Sequence, residues 1–249
     1  MDYRIRGFGA CMIGGFPHRP EESFFNYAVE KLRKETTHNL IPSQFVLEGF
    51  PITRAKKYLE SKCLATNPDI VVAQFAASDL IVSIRSWYNR RLNSTVKSSS
   101  FRVGPRIMSA NPPTRFDRLR WLFQGAVGDV MRMAPVTPPE IFVESMTQFT
   151  RALLEHQVVP VILSPFVFGG LRSDRIARDC ANRLRQAVVT MPKAVFVDAY
   201  AALDRHPRSL MLLADGMHLS LEGHKVVGEA LFLRLKDIVD KHELQKLNP

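Results

Sequence analysis

The apolar residues of this chain fall into two alternating patterns, short continuous runs and longer stretches with helical periodicity. Residues 70–76 are almost all apolar, which is typical of a strand buried on both faces of a parallel sheet. Four further runs predict strands, the first ending at Gly9 and the others at residues 44–49, 158–163 and 194–197.

Segments with apolar residues every three or four positions separate these runs. They predict helices at residues 21–34, 53–61, 116–130, 137–156, 173–189 and 221–239, and Ser173 is expected to cap the fifth of these. Strands that alternate with helices build βαβ units, so the chain is predicted to be an α/β protein. The expected architecture is a three-layer α/β/α sandwich around a five-stranded parallel sheet of the flavodoxin-like type.

A single domain is predicted over residues 1–249, with a basic insertion or lid at about 85–135, where the regular pattern breaks. From Arg85 to Arg120 this region holds nine basic residues and one acid, Asp117. The formal net charge of +10 favours anionic partners: nucleic acid, acidic lipid, or substrates with carboxylate, sulfate or phosphate groups. No nucleic-acid motif accompanies the basic run, so nucleic acid is not expected, and a solvated loop is the simplest alternative.

Three cysteines, Cys11, Cys63 and Cys180, form neither an even set for disulfide pairing nor a metal-binding spacing. No nucleotide fingerprint or phosphate-binding loop is present, so neither a cofactor nor a metal is expected. The chain shows no apolar signal core near its start and no apolar run of transmembrane length. A cytoplasmic protein with reduced thiols is therefore expected.

A candidate nucleophile follows the first predicted strand. Small residues from Gly9 to Gly15 allow a tight turn, and Cys11 lies within it. A cysteine in such a turn is more often a small buried residue than a nucleophile. The segment Asp215-Gly-Met-His218 favours the catalytic interpretation, because an imidazole can accept the thiol proton while a carboxylate orients the ring.

Four segments occur in an order that resembles the SGNH (GDSL-type) hydrolase family. They are Gly9-Ala10-Cys11, Gly49, Ala76-Ala77-Ser78-Asp79 and Asp215-Gly-Met-His218, and together they span nearly the whole chain outside residues 85–135. The family's corresponding blocks are Gly-Asp-Ser, a glycine after the second strand, Gly-x-Asn-Asp and Asp-x-x-His. This chain departs from them in having Cys11 for the serine, Ala10 for the aspartate and Ser78 for the asparagine.

The resemblance implies a division of roles. Cys11 would be the nucleophile, His218 the base and Asp215 the residue that orients the imidazole. The backbone N–H groups of Cys11 and Gly49, with Ser78 in place of the family's asparagine, would form the oxyanion hole. Asp79 stands beside Ser78 and is included among the substrate-binding candidates.

The function expected from these residues is hydrolysis of ester or thioester bonds through a Cys-His-Asp triad. An acyl or acetyl esterase acting on a small-molecule or glycan ester, with anionic substrates favoured, fits this expectation. An acyltransferase would use the same thioester intermediate. The competing hypothesis is a catalytically inactive binding protein on the same fold, in which Asp215 caps a turn and His218 is only packed.

Overall fold

Five parallel strands form the centre of the structure. This computed structural model describes residues 2–47, 51–75, 77–80, 82, 113–166 and 171–247. The strands are β1 (Asp2–Gly9), β2 (Asn39–Val46), β3 (Ile70–Gln74), β4 (Val159–Leu163) and β5 (Val195–Val197), and their order across the sheet is β2-β1-β3-β4-β5. Every neighbouring pair is parallel, which confirms the predicted sheet.

Helices pack on both faces of this sheet. They are α1 (Phe24–Glu35), α2 (Ala55–Tyr58), α3 (Ala77–Leu80), α4 (Arg115–Val130), α5 (Pro139–Glu155), α6 (Leu171–Val189), α7 (Ala199–Asp204), α8 (Arg208–Met211) and α9 (Leu221–Leu247). α1 packs against α9, and α5 packs against α6.

Two consecutive residues of β1 show that the two helix layers lie on opposite faces. A Cβ on Gly7 would lie 3.2 Å from the ring of Phe25 in α1. Its neighbour Phe8 instead stacks on Phe149 of α5, with ring centroids 5.4 Å apart. Since successive side chains of a strand point to opposite faces, α1 and α5 cover different sides of the sheet. The predicted three-layer sandwich is confirmed.

The apolar pattern explains the main elements. All five residues of β3 are buried, as expected for a central strand with helices on both sides. The apolar side chains of α1 that face the core are fully or almost fully buried, and the Ser23 hydroxyl caps this helix by accepting a hydrogen bond from the N–H of Asn26 at 3.1 Å.

Several boundaries of helices and strands differ from the predicted ones because of tertiary contacts. The second strand, predicted at 44–49, is Asn39–Val46, because all eight of its residues pair with β1. β2 is an edge strand, so Pro42 costs no ladder hydrogen bond on the side that faces away from β1. The cap prediction for Ser173 is wrong. α6 begins at Leu171, and the Ser173 hydroxyl accepts a tertiary hydrogen bond from the N–H of Val82 at 2.9 Å.

The remaining helices differ from prediction mainly in length. The helix predicted at 53–61 is the short α2, flanked by a 3₁₀ turn at Ile52–Arg54 and a π turn at Leu59–Cys63. The last helix continues past residue 239 to Leu247. Of the predicted insertion at about 85–135, residues 85–112 lie outside the described residues, and the described remainder contains α4. Gly49 and the side chain of Ser78 also lie outside the described residues.

Candidate active site

The chain places Cys11 at the carboxyl edge of the sheet through a sharp turn. A Cβ on Gly9, the last residue of β1, would lie 2.0 Å from the carbonyl oxygen of Gln74, so only glycine fits beside β3. The N–H of Ala10 donates to that same carbonyl at 2.9 Å. Cys11 then opens a single 3₁₀ turn, Cys11–Gly14, which ends at Gly15 in the left-handed conformation with φ of 85°.

The thiol of Cys11 lies beside the imidazole of His218. Its Sγ is 3.5 Å from Nε2 of His218, within hydrogen-bonding range for sulfur, although 207 positions separate the two residues. Cys11 is partly buried, and His218 is 5% exposed. The contact allows a proton to pass directly between the thiol and the ring.

Asp215 contacts the other ring nitrogen of His218. Its Oδ2 lies 2.6 Å from Nδ1 of the imidazole. Its Oδ1 accepts hydrogen bonds from the backbone N–H groups of Met217 at 2.8 Å and His218 at 3.0 Å. One carboxylate oxygen therefore closes the turn, as the turn-capping interpretation expects, while the other contacts the ring nitrogen that an orienting carboxylate would hold.

The pair of His218 and Asp215 favours the charged forms of both groups. Burial acts to lower the pKa of His218, but the hydrogen bonds with Asp215 and Cys11 outweigh it and raise this pKa to about 10. Burial acts to raise the pKa of Asp215, and its hydrogen bonds with His218 and the backbone outweigh burial and lower the pKa. An imidazolium beside Sγ is the arrangement in which a cysteine reacts as a thiolate.

Asp79 has a different environment from the one expected. It is fully buried, and its carboxylate accepts hydrogen bonds from the N–H of Ile52, at 3.1 and 3.2 Å, and from the hydroxyl of Thr137 at 2.7 Å. Burial raises its pKa to about 7, against the opposing effect of these bonds. A carboxylate with no exposed surface does not contact substrate in this conformation, and its contacts instead tie α3 to the turn that precedes α2.

Solved structures of several lipases and esterases share this architecture over almost their whole length. A lipase/acylhydrolase from Enterococcus faecalis is 14% identical, with a TM-score of 0.62 and coverage of 94% of this chain and 96% of its own. An acetylxylan esterase from Geobacillus stearothermophilus is 15% identical, with a TM-score of 0.60 and 93% of each chain covered. A lipase from a goat rumen metagenome is 10% identical, with a TM-score of 0.62 and coverage of 92% and 95%.

This chain has the fold of these lipases and esterases. No family model matches the sequence, and no curated protein is significantly similar to it. At 10–15% identity the structural likeness establishes the fold. Any activity of the site has to be argued from its own residues.

Two further residues lie near the candidate site residues, and neither was among the individual site residues predicted from the sequence. The ring of Phe16 packs edge-on against His218, with centroids 5.3 Å apart, and the residue is 40% exposed. The guanidinium of Arg120 in α4 donates to the carbonyl oxygen of Ala214 at 3.0 Å, directly before Asp215. The second contact places α4, the described helix of the predicted basic insertion, against the loop that carries Asp215 and His218. The only sequence signal for Phe16 was its position after the Gly14-Gly15 turn.

Two other histidines form the packing around the site. His18 Nε2 lies 3.0 Å from the carbonyl oxygen of Leu219. His224 is 1% exposed, and its Nδ1 accepts a hydrogen bond from the N–H of Phe24 at 3.2 Å. Burial, aided by the nearby His18 and His218, lowers the pKa of His224 to about 3, so this ring is neutral. It joins the start of α9 to the start of α1.

The described residues show neither a metal site nor a membrane-spanning helix. Within them, no group of three or more His, Cys, Asp or Glu side chains is placed to hold a metal ion. None of the helices formed by these residues has the length and apolar character needed to cross a membrane.

We expect iodoacetamide to alkylate Cys11 and to spare Cys63 and Cys180 in the folded protein. Cys63 and Cys180 are fully buried, and burial raises the pKa of each thiol to about 12, so both are inaccessible and protonated at neutral pH. Cys11 is partly exposed and lies beside an imidazolium. Peptide mapping by mass spectrometry measures the three yields, with protein unfolded in urea as the fully reactive control. Equal labelling of the folded protein, or sparing of Cys11, would contradict this expectation.

Proposed function

We propose that this protein hydrolyses carboxylic esters or thioesters, with Cys11 as nucleophile, His218 as acid and base, and Asp215 as the orienting group. The observation that carries the proposal is the chain of contacts from Sγ to Nε2 at 3.5 Å and from Nδ1 to Oδ2 at 2.6 Å. These contacts lie at the carboxyl edge of a parallel sheet, where α/β proteins bind their ligands.

The reaction starts from the ion pair in which the thiol proton of Cys11 resides on Nε2 of His218. The thiolate of Cys11 attacks the acyl carbonyl, and a carbon–sulfur bond forms as the carbonyl electrons move to oxygen. The tetrahedral intermediate collapses with loss of the alcohol oxygen, which takes the proton from Nε2. The product of this half-reaction is a thioester on Cys11 and a neutral imidazole.

Water completes the cycle. Nε2 of His218 accepts a proton from the attacking water, and the resulting oxygen nucleophile adds to the thioester carbonyl. The carbon–sulfur bond breaks, the carboxylic acid leaves, and the thiolate and imidazolium are restored. Asp215 holds the ring in the orientation that both steps need. If another acyl acceptor attacked the thioester in place of water, the same intermediate would lead to acyl transfer.

The oxyanion hole is proposed to contain the backbone N–H groups of Cys11 and Gly49 and the hydroxyl group of Ser78. Within the described part of the chain, the N–H of Cys11 has no acceptor, so it is free to donate to a developing oxyanion. Gly49 lies three positions before Ile52 in the sequence, and Ser78 directly precedes Asp79. The buried hydrogen bonds between Asp79 and Ile52 therefore support the proposal that the segments carrying Gly49 and Ser78 act at one site.

The proposed substrates are small-molecule or glycan esters, with acyl or acetyl groups. Anionic substrates are favoured because Arg120 contacts the residue directly before Asp215 and because the sequence from Arg85 to Arg120 is strongly basic. The ring of Phe16 packs against His218 and is partly exposed, so it would provide an apolar surface for substrate on that side of the imidazole. An inactive binding protein is the alternative, and the contact between the nucleophile, base and orienting groups argues against it.

The test is a screen of p-nitrophenyl esters from acetyl to decanoyl, together with acyl thioesters, combined with trapping of the intermediate. We expect turnover, and acid quenching should yield a Cys11 peptide whose mass is increased by one acyl group. Hydroxylamine should remove that group, since it cleaves thioesters readily. Cys180→Ala, which removes a buried thiol that is not part of the proposed triad, is the matched control and should acylate normally. A protein that turns over none of these substrates and never acylates Cys11 would support the binding-protein alternative.

A further inference from the structure

Helix α4 presents apolar side chains to solvent on its outer face. Phe116, Leu119, Phe123 and Val130 are 75%, 64%, 68% and 84% exposed, and they follow one another at helical spacing. Leu122, which is 58% exposed, widens this face. We call these five residues the apolar stripe. A surface helix of a globular protein normally turns such a face to the core, so the stripe indicates an interaction surface.

The inner face of α4 is the one that packs on the protein. Gly128 is buried there, and a Cβ on it would lie 3.6 Å from the side chain of Val82. Asp129 forms an ion pair with Arg175 of α6. Gly128 lies on the side of the helix opposite the apolar stripe, so α4 packs on the protein through the face that the stripe does not occupy.

The surroundings of the apolar stripe are basic. Arg115 at the start of α4, Arg120 within it and Arg132 just beyond its end are all exposed. Asp129 of the same helix is already paired with a cation. An apolar helix face bordered by arginines is typical of helices that lie in the interface of an anionic membrane.

The apolar stripe also lies on the helix that contacts the candidate active site. Arg120 of α4 donates to the carbonyl oxygen of Ala214, and the next residue, Asp215, orients His218. A surface that docks through α4 would therefore be brought to the rim where Cys11 lies.

We propose that the apolar stripe docks on an anionic lipid surface, with its phenylalanine and leucine side chains among the acyl chains and the neighbouring arginines against the phosphates. Charge selects this occupant over a second copy of the chain. Two chains of net charge +10 that met through α4 would bring their basic borders together, which like-charge repulsion opposes. If the proposed function is correct, docking would make acyl esters of the membrane the substrates. The docking itself does not depend on the proposed function.

Vesicle sedimentation tests the docking, with the full-length protein carrying Cys11→Ala so that binding is measured without hydrolysis. We expect binding to vesicles of phosphatidylcholine and phosphatidylglycerol, and much weaker binding to pure phosphatidylcholine or at high salt. The triple variant Phe116→Ser/Leu119→Ser/Phe123→Ser should bind roughly a hundredfold less tightly, because three side chains no longer leave water.

The matched control replaces three exposed apolar residues elsewhere. Ile141, Val189 and Leu233 are 45%, 71% and 58% exposed on α5, α6 and α9. Ile141→Ser/Val189→Ser/Leu233→Ser should bind like its parent. Circular dichroism and thermal melting establish that both triple variants are folded. Equal losses in the two triple variants, or no binding by the parent, would overturn the proposal.

Hydrogen exchange of the unmutated protein gives a test that needs no variant. Backbone amides of residues 115–130 should become protected when phosphatidylglycerol vesicles are added. If these amides are already fully protected without vesicles, other residues of the same chain cover the apolar stripe and the proposal is overturned. The proposal is also overturned if the protein self-associates without vesicles and the stripe variant does not, because the stripe then binds a second copy of the chain. Hydrolysis of a short soluble ester by the stripe variant should equal the parent's. Absence of that hydrolysis in both proteins, with vesicle binding intact, would refute only the proposed catalysis.

Discussion

Replacing Cys11 or His218 with alanine is expected to lower kcat/KM for the best ester by roughly 10³- to 10⁵-fold in each case. Without Cys11 there is no atom to form the thioester. Without His218 the proton has no acceptor 3.5 Å from Sγ, and the leaving alcohol has no donor. Steady-state kinetics of the two single variants and the double variant measure the effect.

The double variant Cys11→Ala/His218→Ala should be little worse than either single variant, because the groups act as one unit. His156→Ala, which removes an exposed histidine at the end of α5, is the matched control and should retain full activity. Asp215→Asn should be milder than the other changes, because its Oδ1 can still close the turn and a thiolate–imidazolium pair depends less on the orienting group. If the parent rate survives in every variant, the activity comes from another site and the triad is not the catalyst.

Cys11→Ser is expected to reduce kcat by roughly 10²- to 10⁴-fold, although it restores the nucleophile of the SGNH hydrolases that this sequence resembles. A hydroxyl is a far weaker acid than a thiol, so His218 has to remove its proton during the attack itself. The shorter carbon–oxygen bond also moves the nucleophile away from Nε2. KM should change little, since the change leaves the substrate-facing surface nearly the same.

The activities of the parent and of the Cys11→Ser variant should change with pH in opposite directions. The parent needs the imidazolium form of His218, whose pKa is raised to about 10, so its activity should fall as pH rises through that value. The serine variant needs the neutral imidazole as a base, so its residual activity should rise with pH. Rate profiles with a substrate that is stable in alkali measure both. A serine variant as active as the parent, with the same profile, would show that the site is not adapted to cysteine.

The local part of the candidate site was readable from sequence. Asp215 and His218 are three positions apart, and the turn that joins them is closed by Oδ1 of Asp215 itself. Contacts over so short a distance follow from residue type and spacing. The opposite holds for Asp79, because the donors that surround it lie 27 and 58 positions away and no local pattern predicts them.

Helix α4 shows the same limit for periodicity. Its apolar spacing predicts a helix with one apolar face at residues 116–130, and the helix lies at Arg115–Val130. Periodicity defines which side chains share a face, and it contains no information on which face the neighbouring elements cover. Only the packing of α4 through Gly128, Val82 and Arg175 leaves the apolar stripe turned to solvent.

The sequence by itself determined the parallel α/β architecture, the five strands, the turn after Gly9 and the pairing of Asp215 with His218. These follow from apolar period, glycine steric freedom and contacts between near neighbours, which act within a few residues of the chain. The tertiary structure alone decided that Sγ of Cys11 meets Nε2 of His218 across 207 positions, that β2 pairs along its whole length and that Asp79 is buried. Such contacts depend on how the sheet and its two helix layers close together, and that closure is set by the packing of the whole chain.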